Sequence, residues 1–157
     1  MHENVLFFLK GPLSQWHRSE FKAVGKNFVT AEQFMMYMKA MIMNDVDTAA
    51  KILETESPSE QKKLGRQVKN FDGPTWDMIK EAVVAHGNIR KFLSNPDLKE
   101  YLLSTGDKQL VEVNPKDSIW GIGMDEETAM VTPEEEWNGE NLLGKCLMEV
   151  RDILRKI

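Results

Sequence analysis

Cysteine is almost missing from this chain: Cys146 stands alone among 157 residues. No disulfide can form within it, and a single thiol in an apolar helical stretch reads as packing rather than as a nucleophile. Histidine is scarce too. His2, His17 and His86 lie far apart, with no metal-ligand spacing and no cysteine partner, so nothing points to zinc. No apolar run reaches the length of a membrane-spanning helix. The run Val5 to Leu9 is shorter than a signal-peptide core and follows Glu3 where positive charge would be needed, so it reads as a strand. Excess positive charge is also lacking. Twenty Lys and Arg against 25 Asp and Glu leave a net charge of −5, which excludes a broad basic surface for nucleic acid; a DNA- or RNA-linked substrate would have to be held locally. What remains is the expectation of a cytoplasmic chain, off the membrane, folded as one domain over residues 1–157. Its 41% hydrophobic content suffices for one core. The sequence sets no oligomeric state.

Helix punctuation is what the chain has in quantity. Thr30-x-x-Gln33 and Ser57-x-x-Glu60 are capping-box patterns, the second with Pro58 at the first helical position, and Asn95-Pro96 and Thr132-Pro133 repeat the cap-then-proline order. Helices are therefore predicted to start near residues 31, 58, 96 and 133. Phe34, Met38, Met41 and Ile42 form one apolar stripe of the first. After Pro74, Met78, Ala82, Ala85, Ile89 and Phe92 predict the core face of another, with Trp76, Ile79 and Val83 as a shorter stripe beside it. Leu143, Leu147, Val150 and Leu154 predict a long closing helix. Strand signals are fewer: residues 4–9, 109–113 and a short one at Phe28-Val29. The fold class is α+β, predominantly helical, with a small sheet. The acidic runs Asp125 to Glu127 and Glu134 to Glu136 read as solvated surface.

Polar residues concentrate in residues 105–123, where Asp107, Glu112, Asp117, Trp120, Gly106, Gly121 and Gly123 occupy nineteen positions. Glycines beside a tryptophan let backbone approach a flat ligand on which the indole stacks, and Asp117 stands three residues before that indole. The alternative is a strand ending in a Gly-rich turn, capped by Asp117, with Trp120 in the core. Glu32 and Lys39 are seven residues apart on the first helix and so share a face. From the residues alone they are either a solvated acid and base or a pair looking into a cleft.

The order of Gly11-Pro12-Leu13-Ser14, Thr30-Ala31-Glu32-Gln33-Phe34 with Lys39-Ala40, Leu64-Gly65-Arg66 followed by Trp76, Lys91-Phe92, Thr105-Gly106-Asp107, Glu112, Asp117 to Gly123, and Gly139-x-Asn141-x-Leu143-Gly144 with Arg151 resembles the NADAR, or YbiA-like, family of N-glycosidases. The resemblance spans nearly the whole chain. It implies hydrolysis of a ribose–base bond in an ADP-ribosyl or ribosylamino substrate, free or carried on DNA, without metal or redox cofactor. It also implies functional roles for Glu32 and Lys39, with Asp117 as acid/base or holder of ribose hydroxyls. Ser14, Arg18, Arg66, Trp76, Glu112, Trp120, Gly121, Gly123 and Asn141 are the implied substrate-binding set, with Arg18, Arg66 and Lys69 as phosphate donors. Arg151 is expected to tie the last helix to an internal carboxylate. Two departures stand out. Gln15-Trp16 replaces the usual Asn-Phe, and Gln33 replaces a frequent His after the glutamate, which leaves proton transfer to carboxylates and Lys39.

Overall fold

A computed structural model describes residues 1–157. In chain order the elements are β1 (Val5–Phe8), β2 (Phe21–Ala23), β3 (Lys26–Phe28), α1 (Ala31–Ile42), α2 (Val46–Glu54), α3 (Pro58–Arg66), α4 (Gly73–Ser94), α5 (Pro96–Ser104), β4 (Gln109–Glu112), α6 (Glu126–Met130), a 3-10 turn at Glu134–Glu136, and α7 (Leu142–Arg155). The predominantly helical α+β class follows the sequence. No helix is long and apolar enough to cross a membrane. Contacts divide the chain into two compact units, one formed by residues 15–96 and the other by 1–14 together with 97–157.

The 15–96 unit is built around α1. Thr30 caps it, its hydroxyl accepting from the Gln33 amide at 3.0 Å. Asp45 does the same for α2 and also accepts from the Lys69 amide, so one carboxylate fixes two chain segments. Hydrogen bonds from these amides hold its carboxyl below the usual range. An antiparallel hairpin, β2 with β3, brings Phe21 and Phe28 into stacked contact at 5.6 Å, and Phe28 meets Phe34 edge-on at 5.2 Å. The expected single stripe of α1 is too narrow. Every residue from Ala31 to Tyr37 is buried, because α2, α3, α4 and β3 all pack on this helix, whereas Met41 at its end is exposed.

The main stripe expected of α4 is corrected at Met78 and Ala82, while its Phe92, and Trp76 and Val83 of the shorter stripe, turn inward as expected. Met78 is 85% exposed and Ala82 also lies outside, while Trp76, Val83, Val84, Gly87, Asn88, Lys91 and Phe92 are buried. The reason is Gly87: a Cβ there would stand 2.6 Å from Phe34 Cδ2, so the ring of α1 occupies the space a side chain would take and fixes which face of α4 turns inward. Gly65 lets α3 close on α1 in the same way, against the Met36 thioether.

In the other unit β1 and β4 pair in parallel, Val5 against Gln109 through Phe8 against Glu112. Their inner residues join Val113, Ile122, Met124 and Ala129 in the core. Leu143, Leu147, Val150 and Leu154 of α7 are all fully or nearly fully buried, as their periodicity predicts. The cap-then-proline signal at Thr132-Pro133 opens only the 3-10 turn, with no side-chain cap.

Candidate functional site

Glu32 lies in the first turn of α1 and Lys39 in its last, two turns further on. Glu32 is buried, at 5% exposure, although it is a carboxylate. Trp16 explains part of this: its indole N–H donates to Glu32 Oε1 at 3.0 Å, while the ring itself stays 44% exposed. The preceding residue fixes the geometry, since the Gln15 carbonyl accepts from the Glu32 amide and the Gln15 side chain accepts from Asn88. The unusual Gln15-Trp16 pair is thus the brace of Glu32.

Lys39 is half-buried. Burial lowers its amine below the ordinary lysine value, the nearby Glu32 charge opposes this, and the Arg66 charge adds to the lowering. Its Nζ lies 4.7 Å from the centre of the Phe71 ring. Arg66, on the last turn of α3, is exposed.

A second lysine of the same unit competes for attention. Lys91 is fully buried, and burial pushes its amine down to about 7. His17 is lowered as well, chiefly by burial and then by the Lys91 charge. Accessibility separates the two lysines. Lys91 has no surface through which a substrate could reach it, while Lys39 combines lowered basicity with partial access.

Other residues of this unit have settled partners. Arg18 forms ion pairs with Glu20 and Glu56 on the surface. Trp76 is buried in α4. Gln33 accepts from the Val29 amide and donates to the Ile52 and Thr55 carbonyls, so it ties α1 to the end of α2. A neutral imidazole has one donor and one acceptor, so it could not make all three of these bonds.

The other unit gathers Glu112, Gly121, Gly123 and Asn141. Asn141 takes a left-handed backbone (φ 53°) and uses its amide twice against β4: Nδ2 donates to the Leu110 carbonyl and Oδ1 accepts from the Glu112 amide, both at 3.0 Å. Gly139 and Gly144 complete the arrangement, since a Cβ at the first would overlap Gly121 and Ile122, and one at the second the Leu110 carbonyl. The motif Gly139 to Gly144 therefore clasps the start of α7 to β4. Gly121 packs against the Glu112 carboxylate, where a Cβ would stand 2.8 Å from Oε2. Asp117 caps its own turn, Oδ1 accepting from the Ile119 and Trp120 amides at 2.9 Å. Trp120 is half-buried and Ser14 closes a turn on the Gly11 carbonyl. Arg151 binds a hydroxyl, Thr105 Oγ1, where a carboxylate was expected.

Phe71, Trp16 and Lys91 were not among the expected site residues. Trp16 stood out only as a departure, and Phe71 lies between α3 and α4 where no periodicity marks it.

Lys39 is thus a partly accessible amine of lowered basicity, with the Glu32 carboxylate two turns away on the same helix. The chain belongs to the NADAR domain family, whose profile matches residues 7–155. It is 45% identical over 144 residues to an N-glycosidase of Acanthamoeba polyphaga mimivirus, covering 88% of this chain and 85% of the relative. A riboflavin biosynthesis protein of Vibrio vulnificus is 32% identical over 120 residues, 76% of this chain but 30% of the relative. Among solved structures, that of the Escherichia coli protein YbiA, determined by NMR, superposes with a TM-score of 0.81 at 26% identity, over 99% of this chain and 88% of that one.

Proposed function

We propose that this chain is an N-glycosidase that hydrolyses the bond between ribose C1 and the exocyclic amino nitrogen of a base, with Lys39 as nucleophile. The observation that carries the reading is the state of Lys39: half-buried, lowered in basicity, and beside Glu32 and Arg66. A neutral amine is the form that attacks, and a lowered pKa makes more of it available at a given pH.

The chemistry balances with one water and no cofactor. The bond from C1 to the ring oxygen breaks as the exocyclic nitrogen forms a double bond to C1 and its N–H proton passes to that oxygen; the resulting imine is protonated on nitrogen by Glu32 in its acid form. The lone pair of Nζ forms the Nζ–C1 bond as the C1–N π pair moves onto the base nitrogen. One proton passes from Nζ to that nitrogen, and the C1–N bond then breaks with its electron pair, releasing the base as a free amine and leaving an iminium between Nζ and C1. Water adds to C1 and gives one proton to Glu32 and one to Nζ. Rupture of the Nζ–C1 bond returns the lysine and the free sugar.

For the substrate we favour ADP-ribose on the amino group of guanine in DNA. The half-exposed Trp16 indole suits a purine face, and Arg66 suits the phosphate on ribose C5. The acidic net charge accords with an adduct that enters alone while the duplex stays outside. A ribosylamino-pyrimidine phosphate is the second reading, supported by the name of the Vibrio vulnificus relative; it carries the same C5 phosphate. Supplying both at equal concentration and comparing kcat/KM separates them. Release of guanine-containing DNA and free ADP-ribose in preference to pyrimidine product is expected. A clear preference for the pyrimidine would overturn the DNA reading and keep the glycosidase chemistry.

A further inference from the structure

Phe71 is a large apolar side chain that the fold leaves 49% exposed, yet the segment carrying it is pinned at both ends. On one side Val68 is buried and the Lys69 amide donates to Asp45 Oδ2 at 2.8 Å. On the other, the Asp72 amide donates to Met43 Sδ and the Asp72 carboxylate caps α4 at Thr75. The ring is therefore held in place without being packed away. Its face is what holds interest, because Lys39 Nζ lies over it at 4.7 Å from the centroid.

Resting on the assignment of Lys39 as nucleophile, we infer that Phe71 is a catalytic residue whose ring face stabilises the cationic Nζ–C1 intermediate. In the covalent intermediate C1 is bonded to Nζ, so the sugar carbon and the positive charge shared by C1 and Nζ sit over the same ring that Nζ occupies at rest. An aromatic face attracts a cation within about 6 Å of its centroid, and more strongly where water is excluded. The contact contributes to rate only where charge appears along the reaction. Lowered basicity of Lys39 satisfies that condition: above its pKa the resting nitrogen is neutral, and positive charge appears over the ring only when Nζ bonds to C1, returning to Nζ and C1 as the base leaves. Below that pKa the ring stabilises the resting ammonium equally, and the advantage cancels.

The test changes the electrostatics of the ring while hardly changing its size. Phe71 is replaced with mono-, di- and trifluorinated phenylalanine by stop-codon suppression, and kcat is measured with the better substrate from the competition above, at the pH of maximal activity and well below it. The expected result is a progressive fall in maximal kcat, reaching about tenfold at the trifluoro ring, little change in KM, and a shallower dependence at low pH. Phe71→Leu, which keeps apolar bulk, should lose as much as the trifluoro ring. A flat fluorine series in an enzyme whose sugar is still trapped on Lys39 by borohydride would overturn the role of Phe71 alone. Absence of trapping on Lys39 in the parent protein would instead remove the nucleophile, and the inference with it.

Discussion

Asn141, Asp117 and Arg151 in one unit and Glu32 and Lys39 in the other are used in opposite ways. In the 1–14 and 97–157 unit, Asn141, Asp117 and Arg151 spend their hydrogen bonds on backbone and a hydroxyl: Asn141 on Leu110 and Glu112, Asp117 on Ile119 and Trp120, Arg151 on Thr105. In the 15–96 unit, a carboxylate is buried under an indole and a lysine is held below its ordinary basicity beside an arginine and an exposed ring. The first arrangement lowers energy by satisfying buried groups. The second holds an amine at lowered basicity at some cost in solvation, the condition the proposed nucleophile requires. A polar, glycine-rich motif can thus be a clasp, while a plainer acid and base on one helix are the pair proposed for the reaction.

The sharpest way to break this contrast is Lys39→Ala. It should lower kcat on the order of a thousandfold or more with an unchanged melting curve; near-normal turnover would place the chemistry elsewhere. Asn141→Ala should do the reverse. It leaves the Leu110 carbonyl and Glu112 amide without their partner, costing about 3 kcal/mol and lowering Tm by about 10 °C, while kcat measured well below the transition stays close to that of the parent. A kcat loss without a Tm loss would make Asn141 a substrate ligand. Glu32→Gln keeps the shape and should lower kcat about a hundredfold.

Smaller effects sharpen the comparison through pH. Activity should rise with pH as Lys39 loses its proton, and fall again where Glu32 no longer holds one. Arg66→Gln removes a charge that lowers the Lys39 pKa, so the rise should move to higher pH; residual activity of Glu32→Gln should show the opposite movement, because Glu32 raises that pKa. Immobility of the profile in both variants would detach the titrating group from Lys39. Least of all should Asp117→Asn matter, since the amide oxygen can still accept from Ile119 and Trp120; a kcat loss approaching that of Glu32→Gln would move Asp117 from the turn into the reaction.

Local signals were the legible part of the fold. Thr30 and Ser57 cap α1 and α3 as their spacing predicts, because a cap depends on residues three apart. The inward face of α4 was legible only in part, because beside Trp76, Val83 and Phe92 it includes Gly87, Asn88 and Lys91, which no count of apolar residues includes. The second role of Asp45, toward the Lys69 amide, joins residues far apart in sequence and left no local signal. At the site, Glu32 and Lys39 were legible from their shared helix face and the family motif. Phe71 was not, since its meeting with Lys39 depends on how the chain turns between α3 and α4. For Asn141 and Gly144 the motif was visible, but not that backbone groups would use it.

The account stands most directly on borohydride reduction during turnover, followed by peptide mapping. It predicts a stable sugar adduct on the peptide containing Lys39, dependent on substrate and absent from Lys39→Ala. Continued turnover in borohydride with no adduct on any lysine, or an adduct on a different lysine, would contradict it.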